Sequence, residues 1–185
     1  MNPMQVPEEI IHLLRMLARE QTRRMLEIGT ANGGTLFLFC RTLPDNAWIM
    51  SVDLPRGAFG GGYPRWKVPV MRSFAKPGQQ LHLLRANSHL KETVAEVAAR
   101  LEGDSLDFLF IDGDHTYAGA RVDFEAYSPL VRRGGLIAFH DVVPHPSGSG
   151  GEVHKFWREI RDDYVHHEFV ANPGAGYGIG VLVVT

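Results

Sequence analysis

Cysteine is almost missing from this chain of 185 residues, where Cys40 stands alone. One thiol excludes an intramolecular disulfide and any zinc site built from several thiolates. Long apolar runs are missing too, and none approaches the roughly 20 residues that a membrane-spanning helix needs. No charge sign is in excess, with 19 basic against 21 acidic residues and a formal net charge of -2. Basic residues are nowhere dense enough to track a phosphate backbone, so nucleic acid is not an expected partner. The first nine residues lack the basic flank and apolar stretch of a signal peptide, which makes the cytoplasm the default location.

Hydrophobic residues make up 44% and charged residues 22%, the balance of an ordinary globular domain. A domain of this length buries roughly 70% of the surface its unfolded chain exposes. A single domain over residues 1–185 is therefore expected, with no need of a disulfide or metal staple. The unusual counts are 20 glycines and nine histidines.

Apolar runs of strand length alternate with amphipathic stretches of helix length. Residues 8–19 place Ile10, Ile11, Leu13, Leu14 and Leu17 on one side, the stripe of a helix. That stripe also leaves room for a second copy of the chain, a homodimer. Strands are expected at 24–28, 48–52, 81–84, 106–111, 136–139, 168–170 and 179–184, with helices at 35–43, 92–101, 117–130 and 152–164. Thr93 and Glu96 have the spacing of a capping box. Leu106 to Ile111 is almost unbroken apolar sequence, as in a strand buried on both faces. Repeated strand-helix-strand order means a parallel sheet covered on both sides. The last two strands are joined by too short a turn for a parallel crossover, so one of them must run antiparallel. The fold class is α/β, a three-layer Rossmann-like arrangement with a seven-stranded, mostly parallel sheet and an antiparallel last strand.

Ligands of such sheets bind beyond the C-terminal strand ends. Those ends carry Glu27 and Gly29, Asp53, Asn87 and Ser88, Asp112 to His115, and His140 with Asp141. Any one of these reads equally well as a turn or cap; five strands ending this way together read as a binding edge. The turn Gly29-Thr30-Ala31-Asn32-Gly33 misses the dinucleotide fingerprint, because Ala31 holds its second glycine position. Asp53 can accept from ribose hydroxyls, a role shared by several nucleotide-binding classes.

These residues resemble the class I S-adenosylmethionine-dependent methyltransferases. The resemblance rests on Glu27-x-Gly29-x-x-x-Gly33, on Asp53, and on the element order with its terminal hairpin. Two stretches narrow it: Phe110-Ile111-Asp112-Gly113-Asp114-His115-Thr116-Tyr117, with Asp123 after it, and Gly134-Gly135-Leu136-Ile137-Ala138-Phe139-His140-Asp141. They are similar to the small-molecule O-methyltransferase branch that includes macrocin-type and cephalosporin hydroxylase-like proteins. The resemblance implies that Gly29 to Gly33 wraps the methionine part of S-adenosylmethionine, with Thr35 near its carboxylate. Asp53 would hold the ribose, and Asn87 and Ser88 would lie beside the adenine. It implies a divalent cation, Mg²⁺ or Mn²⁺, on Asp112, His140 and Asp141, and His115 as base for a small hydroxylated acceptor.

His140 departs from the acids and amides usual at its position. It is open to three roles: ligating a softer ion such as Mn²⁺, Fe²⁺ or Zn²⁺, serving the acceptor, or packing at a strand end. A cofactor-binding accessory protein without transfer activity is the alternative function; a nicotinamide-dependent oxidoreductase is disfavoured by Ala31 and the terminal hairpin. With the core consuming the chain, acceptor choice is expected to rest on residues 54–79, residues 142–151, and the N-terminal helix or a second subunit. In the first of these, Tyr63, Arg65 and Trp66 are candidates for a substrate lid or for plain loop anchors.

Overall fold

Alternation along each strand sends successive side chains to opposite faces of the sheet, and here both faces are apolar. In the computed structural model, which describes residues 5–59, 61–146 and 151–185, the strands are β1 (Arg24–Ile28), β2 (Trp48–Asp53), β3 (Gln80–Arg85), β4 (Leu106–Ile111), β5 (Val131–Val143), β6 (Val165–Phe169) and β7 (Tyr177–Val183). The helices are α1 (Pro7–Arg19), α2 (Gly34–Thr42), α3 (Val68–Arg72), α4 (Lys91–Arg100), α5 (Tyr117–Tyr127) and α6 (Val153–Ile160). The sheet order is β3-β2-β1-β4-β5-β7-β6, and β7 alone runs opposite to the other six strands. None of the described helices is long and apolar enough to cross a membrane.

Met25, Phe108 and Phe110 face one core with α1 and α2; Leu26, Leu109 and Ile111 face the other with α4, α5 and α6. Most of the α1 stripe is consumed inside the chain, because Ile10, Leu13 and Leu17 are buried in the first core beside Leu36 and Phe39, while Ile11 is 43% exposed. Glu9 of the same helix is buried as well. Its two oxygens accept from the backbone N–H groups of Ala171 and Gly178, which ties α1 to both ends of the β6–β7 connection. Cys40 is a core residue, and burial pushes its thiol up to about 12.

Several elements differ from the sequence expectation. β5 is much longer than residues 136–139: Val131 already pairs with Leu106 across a bulge, with Gly134 at φ 71°, and the strand continues past Phe139 because β7 pairs with it at His140 and Val143. His140 and Asp141 therefore lie within a strand. Helix α6 ends at Ile160, a 3-10 turn follows, and β6 starts at Val165, which puts His166 and His167 on the sheet edge. Thr93 and Glu96 form no capping box. The chain enters α4 at Leu90, whose carbonyl accepts from the Thr93 and Val94 amides, and Glu96 pairs with Arg100 instead. Residues 147–150, part of the second expected specificity loop, lie outside the described residues, as do Gly60 and residues 1–4.

Gly180 of β7 lies against the Trp157 indole. A Cβ there would stand 2.5 Å from the ring, and the indole is held by its N–H donating to Glu168 Oε1 at 2.6 Å. Gly180→Ala is expected to cost roughly 2–3 kcal/mol through overpacking. Urea unfolding measures this, and a loss below half a kcal/mol would show that the indole moves aside freely.

Candidate active site

The sheet changes direction of growth between β1 and β4, and the crevice at such a switch point is where open α/β sheets bind ligands. Here the crevice is a cavity of about 470 Å³, within the usual range for small-molecule sites. Its floor depends on Gly29. At φ 93° it takes a conformation that side chains disfavour, and a Cβ would stand 2.0 Å from the Asp112 carbonyl oxygen. The β1 turn is thereby pressed onto the Asp112-Gly113 backbone. Gly33 is also left-handed, at φ 79°, but it serves as the N-cap of α2 against Met71 and does not line the cavity.

Glu27 lies beneath the turn, fully buried, and does not line the cavity either. Ser51 donates to its Oε2 at 2.6 Å, while Oε1 has no partner. Burial raises its pKa to about 8; the charges of Asp112 and Asp53 add to the rise and the Ser51 hydrogen bond opposes it. Asp53 lines the cavity and clasps its walls together. Oδ1 accepts from the Thr30 and Ala31 amides at 2.9 and 3.2 Å, and Oδ2 accepts from the Tyr63 amide at 3.0 Å. Burial still leaves its pKa raised, against those three donors.

Thr35, Asn87 and Ser88 also line the cavity. Asn87 Oδ1 accepts from the His89 amide at 2.9 Å, and the Ser88 carbonyl accepts from the Tyr127 hydroxyl at 2.8 Å. His89 lines the cavity too; its Nε2 stands 3.6 Å from Asp123, and that contact raises the His89 pKa.

At the ends of β4 and β5, four titratable side chains meet. His115 Nδ1 lies 3.0 Å from Asp141 Oδ2, and its Nε2 lies 3.5 Å from Asp112 Oδ1. His140 Nδ1 lies 3.2 Å from Asp112 Oδ1 and 3.1 Å from Asp141 Oδ1. Ligating atoms of Asp112, His115 and Asp141 all fall within 4.8 Å of one another. Burial pulls both imidazoles down, but the two carboxylates outweigh it: His115 is raised and His140 is raised well above its ordinary value. Burial pushes Asp141 up, and the two histidines nevertheless hold it well below the usual carboxylate range. Asp141 has φ 62° and Tyr177, on the rim, φ 72°; non-glycine residues in this region store strain, which tends to collect at functional sites.

Three residues at this site carried no readable signal. Gln5 is buried; its Nε2 donates to Asp112 Oδ2 at 2.8 Å and its Oε1 accepts from the Thr35 hydroxyl, so the N-terminal segment bridges α2 and β4. A contact across 107 positions leaves no local pattern. Phe59 stacks on His115 with centroids 4.9 Å apart and planes 6° from parallel. It belongs to the expected specificity segment, whereas Tyr63 of that segment is buried and Trp66 is 71% exposed. Tyr177 stacks against His140 at 6.1 Å.

A family model described as a methyltransferase domain matches residues 26–142, well over half of the chain. The chain belongs to that family. Caffeoyl-CoA O-methyltransferase of Populus kitakamiensis is 26% identical over 141 residues, 76% of this chain and 56% of that protein. Protein y4gI of Sinorhizobium fredii is 27% identical over 154 residues, 82% of this chain but 16% of that protein. The chain thus spans about half, or far less, of the length of these curated relatives. Among solved structures, an O-methyltransferase from Bacillus cereus in complex with SAH superposes with a TM-score of 0.65 at 18% identity, covering 98% of this chain and 84% of that one. The MycE methyltransferase of mycinamycin biosynthesis, in complex with Mg, SAH and mycinamycin VI, superposes with a TM-score of 0.61 at 18% identity, covering 94% and 48%. The methyltransferase-domain architecture is thus reproduced over nearly the whole chain.

Glu27 allows a test that needs no ligand. Between pH 4.5 and 8 the folded protein keeps a proton on Glu27 that the unfolded chain gives up. The stability this group contributes is present below pH 4.5 and is lost as pH rises through 8, at up to about 1.4 kcal/mol per pH unit. Glu27→Gln is expected to lose less stability than the parent across that window, by at least about 1 kcal/mol at pH 8. Parallel stability curves for the two proteins would show that Glu27 is ionised in the fold.

Proposed function

We propose that this chain transfers a methyl group from S-adenosylmethionine to a hydroxyl of a small molecule, with His115 as base and a divalent cation on Asp112, His140 and Asp141. The observation that carries the reading is the convergence of those four side chains on the rim of the switch-point cavity. A module that only bound the cofactor would have no use for them.

The cavity walls suit the cofactor. Gly29 to Thr35 forms the turn beside its methionine part, with Gly33 and Glu27 shaping that turn from outside the cavity. A carboxylate has about four lone-pair sites, and backbone amides take three on Asp53. One site on Oδ2 is left for a ribose hydroxyl, so Asp53 holds one hydroxyl rather than two. Asn87 and Ser88 flank the adenine. The fit of a cation rests on the ligating atoms of Asp112, His115 and Asp141, within 4.8 Å of one another, with His140 Nδ1 beside both carboxylates. When bound there, a cation lowers the pKa of the acceptor hydroxyl.

His115 does the proton work. Asp141 beside Nδ1 favours the tautomer with the proton on Nδ1, leaving Nε2 as acceptor. As the acceptor oxygen forms its bond to the methyl carbon and the sulfur-carbon bond breaks, the hydroxyl proton passes to Nε2. Phe59, flat against the imidazole, keeps the ring in one plane. Positioning of acceptor oxygen, methyl carbon and sulfur in line is the rest of the catalytic task.

Calorimetry with S-adenosylhomocysteine, run beside NAD, tests the cofactor: binding of the first alone is expected, and silence at millimolar ligand would sink the reading. His115→Ala is expected to lower turnover about 10²-fold or more with cofactor affinity unchanged. Turnover of the parent is expected to rise with pH across the range in which an imidazole gives up its proton. A profile flat across that range, or a variant of undiminished turnover, removes His115 as base. Chelation with EDTA is expected to abolish turnover; full activity in chelator leaves only a cation-free reaction.

A further inference from the structure

Asp123 sits in the middle of α5 with no exposure to solvent, and among the described residues its one ion-pair partner is His89. Its Oδ1 stands 3.6 Å from His89 Nε2. Burying a carboxylate is costly unless a cation is held beside it. His89 supplies that cation from the turn after β3, and it does so from the cavity wall, beside Asn87 and Ser88. The charged groups facing His89 are both acidic: Asp123 of α5 and Asp114 of the turn after β4. Asp123 raises the His89 pKa against the downward pull of burial, and Asp114 adds to the rise. No lysine or arginine among the described residues stands close enough to oppose them. The nearby Tyr127 hydroxyl is engaged on the Ser88 carbonyl.

Hydrogen-bond directions then decide the protonation state. An ionised carboxylate only accepts, so Nε2 carries a proton toward Asp123. Nδ1 has no hydrogen-bond partner among the described residues, and it is the nitrogen left for a ligand. Adenine presents ring nitrogens that accept. A neutral His89 with its proton on Nε2 turns the Nδ1 lone pair toward such an acceptor and repels it. An imidazolium donates at both nitrogens and satisfies Asp123 and the base together. We propose that His89, held charged by Asp123, donates from Nδ1 to a ring nitrogen of the cofactor's adenine, so that cofactor binding draws a proton onto the protein. The proposal rests on the reading that S-adenosylmethionine fills this cavity. It adds a binding residue, Asp123 as its positioning residue, and a dependence of cofactor affinity on pH.

The test is calorimetry with S-adenosylhomocysteine between about pH 6 and 9, run in pairs of buffers that differ in ionisation enthalpy and so report protons taken up on binding. Affinity is expected to be flat at the acid end and to weaken as pH rises, by up to about tenfold per pH unit, with net proton uptake over the same range. His89→Gln keeps a donor but cannot titrate: a loss of about tenfold at the acid end is expected, with the pH slope and the uptake gone. Asp123→Asn is expected to shift the weakening to lower pH. Should Asp123→Asn fail to fold, the parent still answers. Its His89 imidazole resonances follow protonation directly, and their midpoint is expected to move up when S-adenosylhomocysteine is added. Glu27, whose proton is also lost near pH 8, is present in both variants. A slope that survives in His89→Gln therefore overturns the assignment to His89. Binding without proton uptake, or a His89 midpoint unmoved by the ligand, overturns it in the parent alone and leaves the cofactor reading standing. Absence of S-adenosylhomocysteine binding at every pH overturns that reading and this one with it.

Discussion

The contact between two turns, β1 with β4, sets the site. Gly29 rests on the backbone of Asp112 and Gly113, the Asp112 amide donates to the Ile28 carbonyl at 2.9 Å, and the Gly29 amide donates to Val52 at the same distance. No side chain fits between these turns. Because they touch, the end of β4 is brought level with the cavity floor, and Asp112 emerges beside the residues that β5 supplies. The length of β5 follows from its pairing with β7, and that length carries His140 and Asp141 to the same level. Backbone contacts thus assemble the cluster, and the side chains arrive already placed.

The same edge concentrates carboxyl groups in a region with little water. Glu27, Asp53, Asp112 and Asp141 all lie there, and the fold treats each differently. Glu27 stays protonated near neutral pH, for lack of solvent and because Asp112 and Asp53 stand near it. Asp53 is satisfied by three amides. Asp141 remains ionised against two imidazoles, and Asp112 is shared among His115, His140 and Gln5. Paired charges of this kind are costly to desolvate and add little to stability. Their concentration is better explained by chemistry at the cavity than by folding.

Much of the architecture was readable because period and strand-end polarity are local properties. Leu106 to Ile111 reads as a doubly buried strand, and the short link from β6 to β7 forces an antiparallel pair. The boundaries of β5 and β6 were not readable, since pairing with β7 extends both past their apolar runs. Asp53 and Asp112 stood out as acids ending strands. Glu27 and Gly33 stood out as parts of the Glu27-x-Gly29-x-x-x-Gly33 turn yet do not line the cavity, because a turn motif specifies backbone shape as much as contact. Gln5 and Phe59 were silent: their roles arise from contacts across 107 and 56 positions.

Residue order alone therefore carries the layer count, the reversed strand, the binding edge and the residue types available on it, all consequences of alternation, turn length and strand-end chemistry within short windows. The fold alone decides which of those residues meet. It places His115 against Asp141, seals Tyr63 into the core while Phe59 takes the position over the imidazole, and sets His140 Nδ1 between Asp112 and Asp141. Such distances depend on how turns from separate strands stack on one another, and no local pattern in the chain encodes that.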